Sequence, residues 1–230
     1  MSPTSARDEI LARVRAATAD VTAPVGDRGA TPVVEVASPG AHETVELFAE
    51  NVADYRAVVV RVPAAEVGAA VARALRDAGC RSVAVPDGLD AAWVAALTQG
   101  MPEATDATAD GSHRLRVVRE SDATTAQALD EIDGVVTASA VGVATTGTIV
   151  LDHGPDQGRR ALTLVPDVHV CVVRADQVVH DVPEAVARLR PGASPRPLTW
   201  VSGPSATSDI ELQRVEGVHG PRTLVVVVAE

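Results

Sequence analysis

Lysine is missing altogether: the 230-residue chain carries 20 basic side chains, and every one is arginine. That removes a Schiff-base lysine, a P-loop lysine and a lysine general base from any mechanism. Aromatic residues are nearly as scarce, with only Trp93, Trp200, Tyr55 and Phe48. Four rings do not make a base-stacking platform, and 31 acidic side chains against 20 basic ones leave a net charge of −11. Nucleic acid, which needs a positive footprint, is therefore not an expected partner. Cys80 and Cys171 are the two cysteines, 91 positions apart, so no CxxC or clustered motif exists to hold zinc or an iron–sulfur cluster. They read as structural thiols. No run reaches the roughly 18–20 apolar residues of a membrane span, and the start MSPTSARDEI has no signal-peptide core. The expected compartment is the cytoplasm.

What is present suits one α/β domain with an appendage, since 46% hydrophobic residues supply an ample core. Ile10, Leu11, Val14 and Ala17 share helical spacing and predict an amphipathic arm over 5–19. Residues 20–41, rich in proline and glycine, read as a linker. The expected domains are 1–41, helix and linker, and 42–230, the main body. There, β-branched runs at Ala57–Val62, Ser82–Val85, Leu115–Arg119 and Gly134–Thr137 alternate with helices at Ala64–Ala78, Leu89–Thr98 and Thr124–Ile132. Further strands are expected at Thr148–Leu151, His169–Val173, Thr199–Val201 and Thr223–Val228, with a helix at Pro183–Leu189. This alternation predicts a mostly parallel sheet covered by helices on both faces.

Five segments carry candidate chemistry. Thr145, Thr146 and Gly147 form a small hydroxyl-rich turn whose amides can approach an anion; equally, Gly147 can simply supply a positive φ. Thr199–Val201 runs into Gly203, Pro204 and Ser205 ahead of an expected short helix, another arrangement suited to an anion. In that helix Ser208 and Glu211 match a capping box, and Asp209 is either a functional carboxylate or a complement to the helix dipole. His219, between glycines, can serve as a general acid or base or bond to backbone. Arg159 and Arg160 follow Gly158 in a loop and can grip a phosphate or carboxylate bidentately, or be solvated. Asp167, His169 and Cys171 fall at i, i+2, i+4, with core packing of His169 and Cys171, and Asp167 as a turn residue after Pro166, favoured over metal ligation.

Taken in order, TTGTIVLDHG, GRRALTLVPDVHVCVV and VSGPSATSDIELQRVEGVHGPR resemble the LUD domain of the lactate utilization protein C (LutC/YkgG) family. The resemblance covers 134–228 with specific motifs and 48–119 only in pattern. It implies a three-layer α/β/α sandwich of the NagB/RpiA/CoA-transferase kind. It also implies an accessory, non-redox subunit of a system that oxidises L-lactate to pyruvate, with the iron–sulfur clusters carried by partner proteins and no cofactor in this chain. Many family members have Ala-Glu-Thr-Gly where this chain has Ala144, Thr145, Thr146 and Gly147, and Gly-Pro-Ser-Arg-Thr where it has Gly203, Pro204, Ser205, Ala206 and Thr207. These departures remove a carboxylate and an arginine. Thr145, Thr146, Gly147, Arg159, Arg160, Gly203, Pro204 and Ser205 remain as candidates for a small anionic ligand, with Asp209, Glu211 and His219 as candidate catalytic groups. The competing reading is a stand-alone CoA-transferase-like or sugar-phosphate-isomerase-like enzyme using Asp209 or Glu211.

Overall fold

The computed structural model describes residues 6–20, 40–99, 115–190, 196–207, 215–216 and 219–230. It falls into two units, Met1–Ala37 and Ser38–Glu230. In the first, helix α1 (Ala6–Ala17) buries none of its side chains and exposes Ile10 and Val14. Most of the expected linker lies outside the described residues.

The second unit opens with α2 (Ala41–Asp54), then β1 (Val58–Val62), a 3-10 turn at Ala64–Glu66 and α3 (Val67–Asp77). Next come β2 (Ser82–Val85), α4 (Ala91–Gln99), β3 (Arg116–Arg119), α5 (Ala126–Asp130) and β4 (Gly134–Thr137). The chain continues through β5 (Val141–Val143), β6 (Thr148–Leu151), β7 (Val168–Arg174), β8 (Val178–Val179), α6 (Val182–Leu189) and β9 (Thr199–Val201). It ends with β10 (Ala206–Thr207), β11 (Val215–Glu216) and β12 (Thr223–Ala229).

Six strands form one sheet in the order β1-β12-β7-β4-β2-β3, every neighbouring pair parallel. Both faces of this sheet are covered, which explains why its strands are almost continuous valine. Alternate residues divide between the faces. Val83, Val85, Val136, Val170, Val172, Val225 and Val227 meet α3 and α4 through Val67, Val71, Leu75 and Leu97. From the opposite face Cys171, Val173, Leu224, Val226 and Val228 meet Phe48 and Val52 of α2 and Ile149 and Leu151 of β6. Three layers result, as the alternation predicts, but the second outer layer is not purely helical. It contains a four-stranded sheet in the order β8-β5-β6-β9, with β6 antiparallel to both neighbours. It also contains α2, whose Val45, Phe48 and Val52 fall at helical spacing and are buried.

The protein's single phenylalanine, Phe48, is fully buried, and its ring lies against Gly142 of β5, where a Cβ would stand 3.1 Å away. His169 is likewise a satisfied core residue: its Nε2 lies 2.8 Å from Thr137 Oγ1. Burial, then the nearby Arg160 charge, pushes its pKa down to about 4. Cys171 sits beside it, its thiol raised to about 12 chiefly by burial. Asp167 is the expected turn residue, exposed in the bend ahead of β7, with Arg222 Nε at 3.6 Å.

Candidate functional site

In a parallel sheet, ligands are taken at the carboxyl ends of strands where the connections part to opposite faces. Here β2 leads to α4 on one face, while its neighbour β4 leads to the second sheet on the other. Segment 152–160 crosses over this parting. Its Pro155 carbonyl accepts from Gly88 N at 2.9 Å and its Asp156 carbonyl from Ala138 N at 3.0 Å, so it ties the ends of β2 and β4 together. Beside it lies a cleft of about 560 Å3 whose charged and ring-bearing walls are Asp87, Glu120, His153, Arg159, Arg160 and Arg196.

The three arginines are not equivalent. Arg196 pairs with Asp152 Oδ2 at 2.6 Å. Arg159 is bound into the loop: its backbone N donates to Glu120 Oε1 at 2.9 Å, and its guanidinium reaches the Ala123 carbonyl and lies 3.9 Å from Glu120. Arg160 makes no ion pair among the described residues; its Nη1 donates to Thr163 Oγ1 at 3.0 Å. Although the side chain is exposed overall, desolvation in the cleft lowers its pKa. A guanidinium that has lost water without gaining a carboxylate is the group an incoming anion would satisfy.

His153 adopts φ +54°, a region costly for a residue with a Cβ. The conformation is held by two ring contacts, Nδ1 to the Gly158 carbonyl at 2.8 Å and Nε2 to Thr199 Oγ1 at 2.9 Å. Because a carbonyl only accepts, Nδ1 carries a proton. His153, Glu120, Asp87 and Arg196 escape sequence reasoning because distant strand ends bring them together. The one local hint is the His-Gly-Pro run directly after a strand.

The other candidate turns lie elsewhere. Thr145, Thr146 and Gly147 join β5 to β6, at the opposite end of β6 from His153. Thr145 N donates to the His180 carbonyl and Gly147 N to that of Ala144, so two of the amides expected to meet an anion are already taken. Gly147 has φ +55°, and a Cβ there would stand 2.5 Å from the Asn51 backbone. Ser202 Oγ lies 2.8 Å from Thr148 Oγ1, and Gly203 packs on Tyr55, so these two turns do converge. They converge around the carboxyl end of α2, in a hollow of about 390 Å3 lined by Asn51, Asp54, Tyr55, Thr145 and Thr146. A helix carboxyl terminus and Asp54 are both negative, which suits an anion poorly.

Pro204 is half-buried beside that turn, and Ser205 and His219 meet at the amino edge of the main sheet, where His219 N donates to Ser205 Oγ at 3.1 Å. Gly220, next to His219, also approaches the turn after Arg160: a Cβ there would stand 3.5 Å from Ser205 Cβ and 4.0 Å from the carbonyl oxygen of Thr163, whose hydroxyl accepts from Arg160. Directly after Ser205 the chain is extended, Ala206 and Thr207 pairing with Glu216 and Val215, and the helix expected from the Ser208 cap onward lies outside the described residues. Ser208, Asp209 and Glu211 lie outside the described residues.

A six-stranded parallel sheet covered on both faces defines an α/β fold. Residues 45–229 match the family model of the LUD domain, so the chain belongs to the LUD domain family. Lactate utilization protein C of Deinococcus radiodurans is 48% identical over 190 residues, 81% of this chain and 79% of that protein. The protein of the same description from Bacillus subtilis is 32% identical over 91 residues, 37% of this chain and 38% of the relative. A crystal structure of a DUF162 family protein from Deinococcus radiodurans superposes with a TM-score of 0.64 at 42% identity, covering 84% of this chain and 99% of that one. No described helix is long and apolar enough to cross a membrane.

Proposed function

We propose that this chain is an accessory, non-redox subunit of a lactate-utilization system that oxidises L-lactate to pyruvate with iron–sulfur partner proteins, and that it holds a small anion at Arg160. The naming of the relatives supports the pathway. Cys80 and Cys171 support the non-redox part, for they are buried in the clusters on opposite faces of the main sheet and cannot share a metal centre. Among the described residues, no three His, Cys, Asp or Glu side chains are grouped to hold a metal ion.

The observation that carries the anion site is the unpaired Arg160 in a carboxyl-edge cleft whose other arginines already have carboxylate neighbours. Titration calorimetry with L-lactate, pyruvate and inorganic phosphate tests it. Hydrogen bonds to a charged group contribute about 1.5–3 kcal/mol, so Arg160→Gln should weaken binding by about 10- to 100-fold. Equal affinity in the variant, or no heat with any of the three, refutes the site. For the subunit role, the chain alone should oxidise no lactate, and activity should appear only with the iron–sulfur proteins; turnover by the isolated chain would refute it.

A further inference from the structure

On the far side of the Gly88–Pro155 contact lies a second cavity, of about 390 Å3, over the carboxyl ends of β4, β7 and β12. Its walls include Trp93, Asp90, Asp156 and Arg174, and it shares Gly88 with the Arg160 cleft. At Gly88 the two are divided by a backbone contact: Gly88 N donates to the Pro155 carbonyl at 2.9 Å, and a Cβ at residue 88 would stand 2.6 Å from Pro155 Cβ. The two cavities adjoin at the parting of β2 and β4, each with charge of both signs: Asp87 and Glu120 line the first beside its arginines, and Arg174 lines the second beside its carboxylates. One offers an unpaired guanidinium. The other offers a half-buried indole and two carboxylates, in a chain with only four aromatic residues. The carboxylates retain acceptor capacity: Asp90 Oδ1 caps α4 through Ala92 N at 2.7 Å, which leaves Oδ2.

We infer that the two cavities form one extended site for an amino-bearing heteroaromatic ring with an anionic tail, the chemistry of an adenine nucleotide. The ring stacks on Trp93, its exocyclic amine donates to Asp156 or Asp90, and the tail crosses Gly88 to reach Arg160. Stacking of a flat ring on an indole face strengthens binding by about 10- to 100-fold over no stacking partner. The volume also points beyond a small hydroxy acid, since cavities of a few hundred Å3 suit ligands several times larger. This inference rests on the Arg160 anion site for its tail contact and goes beyond it for the ring.

The chain supplies its own reporter. Trp200, the other tryptophan, is exposed on β9 of the second sheet, so Trp200→Phe leaves Trp93 as the sole indole emitter. In that background ADP should quench Trp93 emission saturably below millimolar concentration, and adenosine should do so at least tenfold more weakly. Phosphate should stabilise the fold against heat and displace ADP without quenching on its own. Adding Arg160→Gln should weaken ADP at least tenfold and leave adenosine unchanged. Absence of quenching by ADP, with Arg160-dependent stabilisation by phosphate intact, overturns the extended site and leaves the anion site standing. Quenching by ADP that is indifferent to Arg160 also overturns it, because ring and tail would then not share one ligand. If phosphate, lactate and ADP all fail to bind, both readings fall.

Discussion

Replacing Gly147 by alanine separates the two meanings of the Thr-Thr-Gly turn. An added Cβ at this position would stand 2.5 Å from the Asn51 carbonyl carbon, 2.6 Å from its oxygen and 2.8 Å from Val52 N. All three are backbone atoms in the last turns of α2, so none can swing aside, and the helix must lift from the turn. Lifting it stretches the bond from Asn51 Nδ2 to the Ala144 carbonyl, now 2.8 Å. Overpacking of this kind costs about 1–3 kcal/mol, and a left-handed φ for alanine costs about 1 kcal/mol more. We expect a loss of about 3 kcal/mol, or a fall in Tm of about 6–12 °C for a domain of this size.

Gly79 provides the control. It ends α3 at φ +76°, and a Cβ added there would meet nothing within 4 Å. The residue sits in a capping turn where Cys80 N donates to the Leu75 carbonyl. Gly79→Ala loses only the backbone freedom, about 1 kcal/mol, and should lower Tm by about 2–4 °C. Scanning calorimetry on both variants decides the matter. Equal losses would refute the argument that close approach of α2 dictates the glycine. A Gly147→Ala protein with unchanged Tm but lost phosphate binding would move the ligand site to this turn.

The stability of the folded chain should fall as pH drops from about 6.5 towards 4, because His169 is held neutral inside while the unfolded chain takes up the proton. The full effect is on the order of 3 kcal/mol, and urea titrations of His169→Gln should show a correspondingly flatter pH profile. At Asp133, burial raises the pKa, but the amides of Arg81 and Ser82 and the Ser82 hydroxyl, each 2.8 Å from its Oδ2, outweigh that and hold it low. Its contribution is present above the ordinary carboxylate range and lost as pH falls below it, so Asp133→Asn should cost about 1–2 kcal/mol at neutral pH and remove this acid-side slope. Cys80 and Cys171, with thiols pushed up to about 11 and about 12, should resist iodoacetamide in the folded chain at about pH 8 and react together once urea unfolds it. Alkylation of either in the native state would contradict the burial described.

The main sheet was legible because each of its strands is a compact β-branched run; Ser82–Val85 and Gly134–Thr137 match the expected bounds. Edges shifted where a side chain caps the chain: Thr125 Oγ1 accepts from Ala128 N, so α5 starts at Ala126 and is only five residues long. The second sheet was not legible. Thr148–Leu151 and Thr199–Val201 look like any other strands in sequence, and nothing local says that they pair with each other rather than join the valine sheet. Arg159 and Arg160 were recognisable as candidates for an anion, yet what tells them apart is Glu120, a residue 39 positions from Arg159. The positive φ of His153 has only a weak signature in residue type: histidine is enriched there among residues with a Cβ, but most histidines do not adopt it.

The position of β12 has a consequence for synthesis. This strand lies between β1 and β7, and β1 has no other partner in the sheet. Arg61 at that edge reaches Glu230, 169 positions later. As the chain leaves the ribosome, Val58–Val62 therefore waits without a neighbour until Thr223–Ala229 has emerged. The waiting strand is a short apolar ladder open on both sides, the state in which nascent chains associate wrongly. Closing so long a loop is also slow. Thr223–Ala229 thus decide when β1 is safe, and a ribosome that stalls before residue 223 would release a chain prone to aggregate rather than a smaller folded one.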